Sequence, residues 1–432
     1  MKKSLIALAM AGLFASAAQA ADNYSIYGRL DLSVIKANTK GEDNIRLENG
    51  TQSRLGFKGT EELGNSGLKG NFKIEHRFDA DTGNTREGNN LGGKGDRFWR
   101  AQSWVGLSGA FGEVRLGRQY DALANTSDQI DPFGGDFVLT KSFVRVDNAG
   151  NLVKVAEGIA GIEGLGFGAP ASRRDNTISY FTPDMKNGFS AEGYLTFGEG
   201  NYSKTGEKYA ASKDRNLFGF RLAYDMSDMG TPFAVSFAYQ QTGDSDKAKA
   251  ALAGLNAANV AAAGIGDNTN LTTANIELLG DVAAANQAVK AAKADGSQMA
   301  LYAGYTLNKE TTFGFGYFAE TVKNSDLTSL TGVKGDAKTM LYTLSVSHNV
   351  SKNSKVIAGY QFGKTKDTDT TDNTNYADQK YSRLALGYHH GLSDRTTLYV
   401  NLATEKLKNA DWKSGVDADT NTVYQFGVKH NF

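Results

Sequence analysis

Sixteen stretches of this chain alternate apolar and polar residues with a period of two, and the connections between them alternate just as strictly between short and long. The stretches centre near residues 29, 55, 72, 103, 116, 178, 193, 220, 237, 303, 317, 343, 360, 385, 401 and 427. Short connections fall at residues 61–66, 108–112, 183–188, 227–232, 308–311, 350–354 and 392–396, and long polar ones fill the other gaps. Most stretches run about 9–12 residues, the length of a tilted strand that crosses a bilayer. A soluble antiparallel sheet also has one wet and one apolar face, but it has no reason to keep every short turn at one end. The pattern predicts an all-β fold: a sixteen-stranded antiparallel transmembrane β-barrel with short periplasmic turns and long extracellular loops.

Composition agrees once the period is known. The mean hydropathy of −0.41 is too polar for a helical membrane protein. A barrel that faces apolar side chains outward and polar ones inward averages to such a value. Near the start, Tyr24, Ile26, Leu30, Leu32 and Val34 share one face, and Tyr27, Arg29, Asp31 and Ser33 the other. Only 4 prolines interrupt a chain with 50 glycines, which suits ladders that need every backbone donor. The absence of cysteine excludes disulfides, thiolate metal sites and cysteine nucleophiles.

Residues 1–20 read as a cleaved signal peptide: Lys2-Lys3, an apolar run, then Ala18-Gln19-Ala20. Residues 21–432 form a single barrel domain. Once Lys2 and Lys3 are removed, the basic residues fall two short of the 47 acidic ones, a balance that offers no field for nucleic acid.

The alternation stops after one hairpin. Residues 103–107 and 113–116 alternate around a small-residue turn, and then residues 121–173 run acidic and glycine-rich, far beyond an ordinary connection. This loop carries Asp121, Asp128, Asp131 and Asp136, with a bend at Asp131-Pro132-Phe133-Gly134-Gly135. A second unusual segment, residues 242–297, holds alanine-rich runs at 247–263 and 282–294 that read as helical. It is either a helical elaboration over the barrel mouth or at a subunit contact, or a loop without a specific role.

Several segments resemble the Gram-negative general porins, most nearly the trimeric neisserial and β-proteobacterial type. They are SRLGFKGTEEL (53–63), GLKGNFKIEHRF (67–78), QSWVGLSGAFGEVRLGRQYD (102–121), NTISYFTPDMKNGFSAEGY (176–194), YGRLDL (27–32) and GVKHNF (427–432). The resemblance implies a homotrimer in the outer membrane, in contact with its lipid and lipopolysaccharide. It implies a water-filled pore for small ions and polar solutes, narrowed by a third loop folded inward. It also makes Phe432 the end of the signal read by the barrel-assembly machinery. The chain departs from the family at Ala101, where an Arg is usual; Arg100 stands one step earlier.

On that basis the constriction has two sides. Arg29, Arg54, Lys58, Lys73, Arg100 and Arg115 lie on lumen-facing parities and form the basic wall, with Asp31, Glu75 and Glu113 on the same strands. Asp121, Asp128, Asp131 and Asp136 come from the inward loop. Arg145, Arg173 and Arg174 lie in or just after that loop and can join the basic side. A ladder of cations in a wet lumen favours anions, which predicts weak anion preference; the alternative is a channel specific for a sugar or carboxylate. Arg118 breaks parity, so it lies above the apolar band or follows a bulge.

No catalytic or cofactor motif appears. His76, His348 and His430 fall on apolar parities at the rims and lack a zinc-protease frame, and there is no GxSxG elbow. The acidic stretch at 367–372 with Asp378 reads as a solvated loop or a divalent-cation contact. No enzyme activity, cofactor or structural metal is expected.

Overall fold

The computed structural model describes residues 23–39, 42–50, 53–83, 98–99, 101–134, 144–146, 152–154, 173–185, 187–197, 217–226, 232–242, 295–323, 336–367, 378–408 and 420–432. Along the chain the strands are β1 (Tyr24–Thr39), β2 (Glu42–Asn49), β3 (Arg54–Glu62), β4 (Lys69–Arg77), β5 (Gln102–Gly109) and β6 (Gly112–Tyr120). A helix, α1 (Ala122–Ile130), and a small hairpin, β7 (Val144–Val146) with β8 (Leu152–Lys154), follow. Then come β9 (Arg173–Phe181), β10 (Phe189–Thr196), β11 (Leu217–Asp225), β12 (Phe233–Thr242), β13 (Asp295–Leu307), β14 (Thr311–Lys323) and β15 (Asp336–Ser351). The last four are β16 (Ser354–Asp367), β17 (Gln379–Gly391), β18 (Thr396–Lys408) and β19 (Asn421–Asn431).

All but β7 and β8 belong to one antiparallel sheet, and β1 pairs with β19 to close it. Seventeen strands fill sixteen positions, because β2 and β3 share one. β2 pairs with residues 32–39 of β1 and β3 with residues 24–29. Each of the sixteen expected stretches is a wall strand. The break inside the second position was not legible in the sequence. There the backbone of Asp31 binds the departing chain, accepting from Gly50 N–H (3.0 Å) and donating to Ser53 Oγ (3.1 Å). Closure gives β1 and β19 a partner on each side, which hydrocarbon demands of strands that would otherwise be edges. At the seam Gly28 and Phe432 exchange reciprocal backbone bonds of 2.9 and 3.1 Å, and the Phe432 ring fills the space that a Cβ on Gly28 would need.

The side chains invert the pattern of a soluble protein. Ile26 is 55 % exposed and Val105 59 %, while Asp31 and Gln240 are fully buried. Outward apolar groups suit lipid, and inward polar groups are tied in chains across strands. Tyr194 donates to Gln240, Gln240 to Gln298 (2.8 Å) and Gln298 to Glu320 (2.6 Å). On the far wall Arg383 and Glu405 form an ion pair with no exposed side-chain surface.

The segment after β6 turns into the barrel, as the resemblance implied. Asp121 caps α1 by accepting from Ala124 N–H (3.2 Å). Leu123 and Ile130 then pack on Ala238 of β12, Ala300 and Tyr302 of β13, Phe318 of β14 and Leu341 of β15. Phe133 reaches further, onto Ile357, Ala385 and Ala403 of β16, β17 and β18. The loop leaves the wall at β6 and seats on strands across the lumen, where alanines at inward positions make room for it. Polar contacts add to the seat: Gln129 Oε1 accepts from Ser236 Oγ (2.6 Å) and Arg221 Nη2 (3.2 Å), and Asn125 donates to Glu192 (2.9 Å). The alanine-rich runs at 247–263 and 282–294 lie outside the described residues.

Ile130 sits so close over Gly316 that an added Cβ would stand 2.5 Å from its Cγ2. Overpacking of this kind costs about 1–3 kcal/mol unless something moves. A Gly316→Val barrel should relieve it by pushing α1 into the lumen. Single-channel conductance in a planar bilayer is then expected to fall while the barrel stays folded; an unchanged conductance counts against this packing.

Candidate functional site: the narrowed lumen

Register brings the basic wall together. Arg29 on β1 is opposite Arg54 on β3, and Arg54 is opposite Arg77 on β4, so three arginines stand side by side on the lumen face. Like charges directly opposite destabilise a sheet, and one carboxylate offsets them. Glu75 is only 1 % exposed; it lies 3.3 Å from Arg77 Nε and 3.8 Å from Arg54 Nη1, and accepts from the Tyr27 hydroxyl at 3.0 Å. Tyr120 at the end of β6 accepts from Arg77 Nη2 (2.5 Å) and Arg173 Nη2 (2.7 Å), and the Arg173 guanidinium lies 4.5 Å over its ring. Arg54 and Arg77 therefore share a single buried carboxylate, and Arg173 joins them through the Tyr120 hydroxyl. Arg29 extends the row and donates to Asn431 at 2.9 Å.

Lys58 and Lys73 are also register partners, toward the short turns. Both ammonium groups lie over the Tyr27 ring, at 5.6 and 5.4 Å. Arg115 belongs to a separate group. Its guanidinium is sandwiched between Trp104 (4.3 Å) and Phe181 (4.2 Å), with Nη2 2.6 Å from Glu113 Oε2. Such pairing and stacking leave it little free charge to present to a solute.

The loop aspartates divide by role. Asp121 is buried: it caps α1, lies 3.5 Å from Arg174 Nε and accepts from Gln240 at 3.1 Å. Asp131 ends α1 and accepts from Phe133 N–H at 3.0 Å. Both fasten the loop. Asp128 is exposed to lumen water from the middle of α1. Enclosure by the barrel raises its carboxyl pKa above the ordinary value, while Arg77, Arg54 and Arg173 pull it back. Asp128 is thus the described loop carboxylate that feels the arginine row across the pore. Arg100 and Asp136 lie outside the described residues, as does the side chain of Arg145.

Sequence reasoning left Arg77 and Tyr120 out of the site. Arg77 shares the parity of Lys73 and Glu75, so its signal was present. Arg173 was already a candidate for the basic side, whereas Tyr120, on the parity of outward Leu116, carried no such signal. The β6–β9 register shifts between Gly117 and Gln119, bringing Tyr120 opposite Arg173. The same irregularity accounts for Arg118, which pairs with Asp175 at 2.5 Å.

Comparison with known proteins agrees with this geometry. Over its full length the chain is 29 % identical to outer membrane porin protein 32 of Delftia acidovorans, and 27 % identical to an outer membrane porin protein of Bordetella pertussis; both relatives are also covered completely. The structure of an anion-selective porin from Comamonas acidovorans superposes with a TM-score of 0.60 at 24 % identity, covering 95 % of this chain and 99 % of that one. The Gram-negative porin family profile matches residues 7–370, and the chain belongs to that family as a β-barrel of the outer membrane.

Proposed function

We propose that this porin is a general diffusion pore with a weak preference for anions. Small ions and hydrophilic solutes cross it passively, with no cofactor and no catalytic cycle. The observation that carries the reading is the imbalance at the narrowing. Arg54 and Arg77 share one buried carboxylate, Glu75, with Arg29 beside them in register and Arg173 joined through Tyr120, and among the described loop residues Asp128 is the exposed carboxylate that faces them. A surplus of fixed cations raises the local concentration of anions and favours their passage. The acidic group opposite tempers the preference and sets up a transverse field in which polar solutes reorient. The fold shared with the Comamonas protein, itself an anion-selective porin, is consistent with this reading. Residues 1–20 serve as the export signal, residues 121–173 as the constriction loop and 242–297 as an extracellular loop. Phe432, set on the closing seam, is the end of the assembly signal, and the working unit is a homotrimer in contact with lipopolysaccharide.

In planar bilayers, insertion should give conductance steps in multiples of three. The zero-current potential in a salt gradient should have the anion sign, and a clear cation sign would overturn the proposal. Replacing Arg54 and Arg77 with Gln should move that potential toward or through the cation side.

The titration of Asp128 gives a third outcome. A carboxyl with a raised pKa takes up its proton at a higher pH than an ordinary aspartate, so the loop loses a negative charge early as pH falls. Anion preference is expected to strengthen between neutral pH and about pH 4, and an Asp128→Asn channel should show the stronger preference already at neutral pH. An Asn variant with the same pH response as the parent would assign the effect elsewhere.

A further inference from the structure

Three of the 5 histidines occupy equivalent places on consecutive strand pairs of the outer wall. His348 on β15 is opposite Thr311 on β14, His390 on β17 opposite Ser354 on β16, and His430 on β19 opposite Thr396 on β18. Each hydroxyl belongs to the first residue of its strand, immediately after a short turn. Each lies 2.8 to 2.9 Å from the Nδ1 of its histidine. All six residues share the outward parity of exposed apolar groups such as Phe313, Val356, Tyr388 and Val428. They therefore sit where the lipid-facing band ends at the short-turn rim.

At His390 the hydrogen bonds indicate what the ring presents. Tyr388 donates its hydroxyl to Ser354 Oγ at 3.2 Å, so the Ser354 proton is left to donate to His390 Nδ1. A neutral imidazole that accepts at Nδ1 carries its proton on Nε2. Thr311 and Thr396 place a hydroxyl on Nδ1 in the same way, and where that hydroxyl donates, an Nε2–H stands at the same depth at each of the three sites. Each turn also supplies an exposed cation one or two residues before the hydroxyl: Lys309, Lys352 and Arg395. Glu310 and Asp394 stand in two of the same turns, so the rim has little net charge. It offers directed donors next to individual cations, immediately below an apolar wall.

We propose that these three histidine–hydroxyl pairs bind the phosphate groups of phospholipids in the periplasmic leaflet. Each Nε2–H donates to a phosphate oxygen, the turn cation balances its charge, and the apolar face above lies along the acyl chains. A free phosphate ion would use the donors but not the apolar face. Lipopolysaccharide is excluded because it meets the opposite rim. The inference rests on the orientation of the barrel in its membrane and not on the selectivity of its pore.

The test is native mass spectrometry of the whole protein in detergent, titrated with dioleoylphosphatidylglycerol or with phosphate-free dioleoylglycerol. The parent should retain the phospholipid and not the diacylglycerol. The triple variant His348→Phe, His390→Phe, His430→Phe keeps the outward rings and removes the donors. Loss of a hydrogen bond to a charged group at each site is expected to weaken retention about tenfold. Unchanged conductance of that variant shows that the barrel is intact. Equal phospholipid retention by parent and variant, or equal retention of both lipids by the parent, overturns the proposal. Should the triple variant fail to fold, the single variants His348→Phe, His390→Phe and His430→Phe take its place, each removing one donor. Retention should fall in this set too, and undiminished retention again overturns it.

Discussion

Hydrocarbon offers no hydrogen-bond partner to a peptide group, and the rest of this structure follows from that constraint. A strand edge exposed to lipid leaves donors and acceptors unmet at several kcal/mol each. The sheet must therefore close, and it does so where β1 meets β19. Closure fixes which parity faces lipid, and so which side chains line water. It also makes the lumen narrow enough for a single inward segment to reach the far wall. That segment needs a seat inside a polar channel, and Ala238, Ala300, Ala385 and Ala403 provide one at positions where neighbouring inward residues are polar. The contacts of Leu123, Ile130 and Phe133 with these strands are ordinary hydrophobic burial, worth about 1.5–3 kcal/mol per large side chain.

The arginine row has a cost that the same architecture meets. Two unit charges 4 Å apart repel by about 1 kcal/mol in water and about 4 kcal/mol at the effective dielectric of a protein surface. Register places Arg29, Arg54 and Arg77 next to one another regardless. Glu75 bridges two of them, and Tyr120 adds a hydroxyl that accepts from Arg77 and a ring face for Arg173, neither of which needs a counter-charge. Phenol groups thus hold cations in place without cancelling them. Had each arginine been matched by its own carboxylate, the wall would be just as stable and electrically silent.

Wall strands were legible in the sequence because a period of two survives any tertiary context: outward and inward positions differ in solvent at every step. Even the lumen parity of Arg29, Arg54, Lys58 and Lys73 followed from it. Three features did not follow. The helix α1, with the sequence ALANTSDQI, has neither acidic residues in its first turn nor basic ones in its last, and its composition favours turns as much as helix. Its stability comes from the wall it covers, which no local pattern reports. The break between β2 and β3 lies in polar sequence, where register is weakly specified. The position of Tyr120 depends on the register shift between Gly117 and Gln119, and such a bulge breaks the parity beyond it.

A formal charge count says little about a pore of this kind. The chain carries 47 basic and 47 acidic residues, yet many of those lining the lumen are paired out of reach. Arg383 with Glu405 is buried within the wall, Asp121 with Arg174 is committed to holding the loop, and Arg115 with Glu113 is enclosed by aromatic rings. Each pair removes one charge of each sign, so pairing does not change the sum. It changes the distribution, because it uses carboxylates at places where no solute passes. Among the described residues, what remains on the lumen side is a cluster of guanidiniums sharing Glu75, with Asp128 opposite. Since Asp121 and Asp131 fasten the loop that carries Asp128, the two carboxylates hidden from the lumen determine the distance at which the exposed one acts.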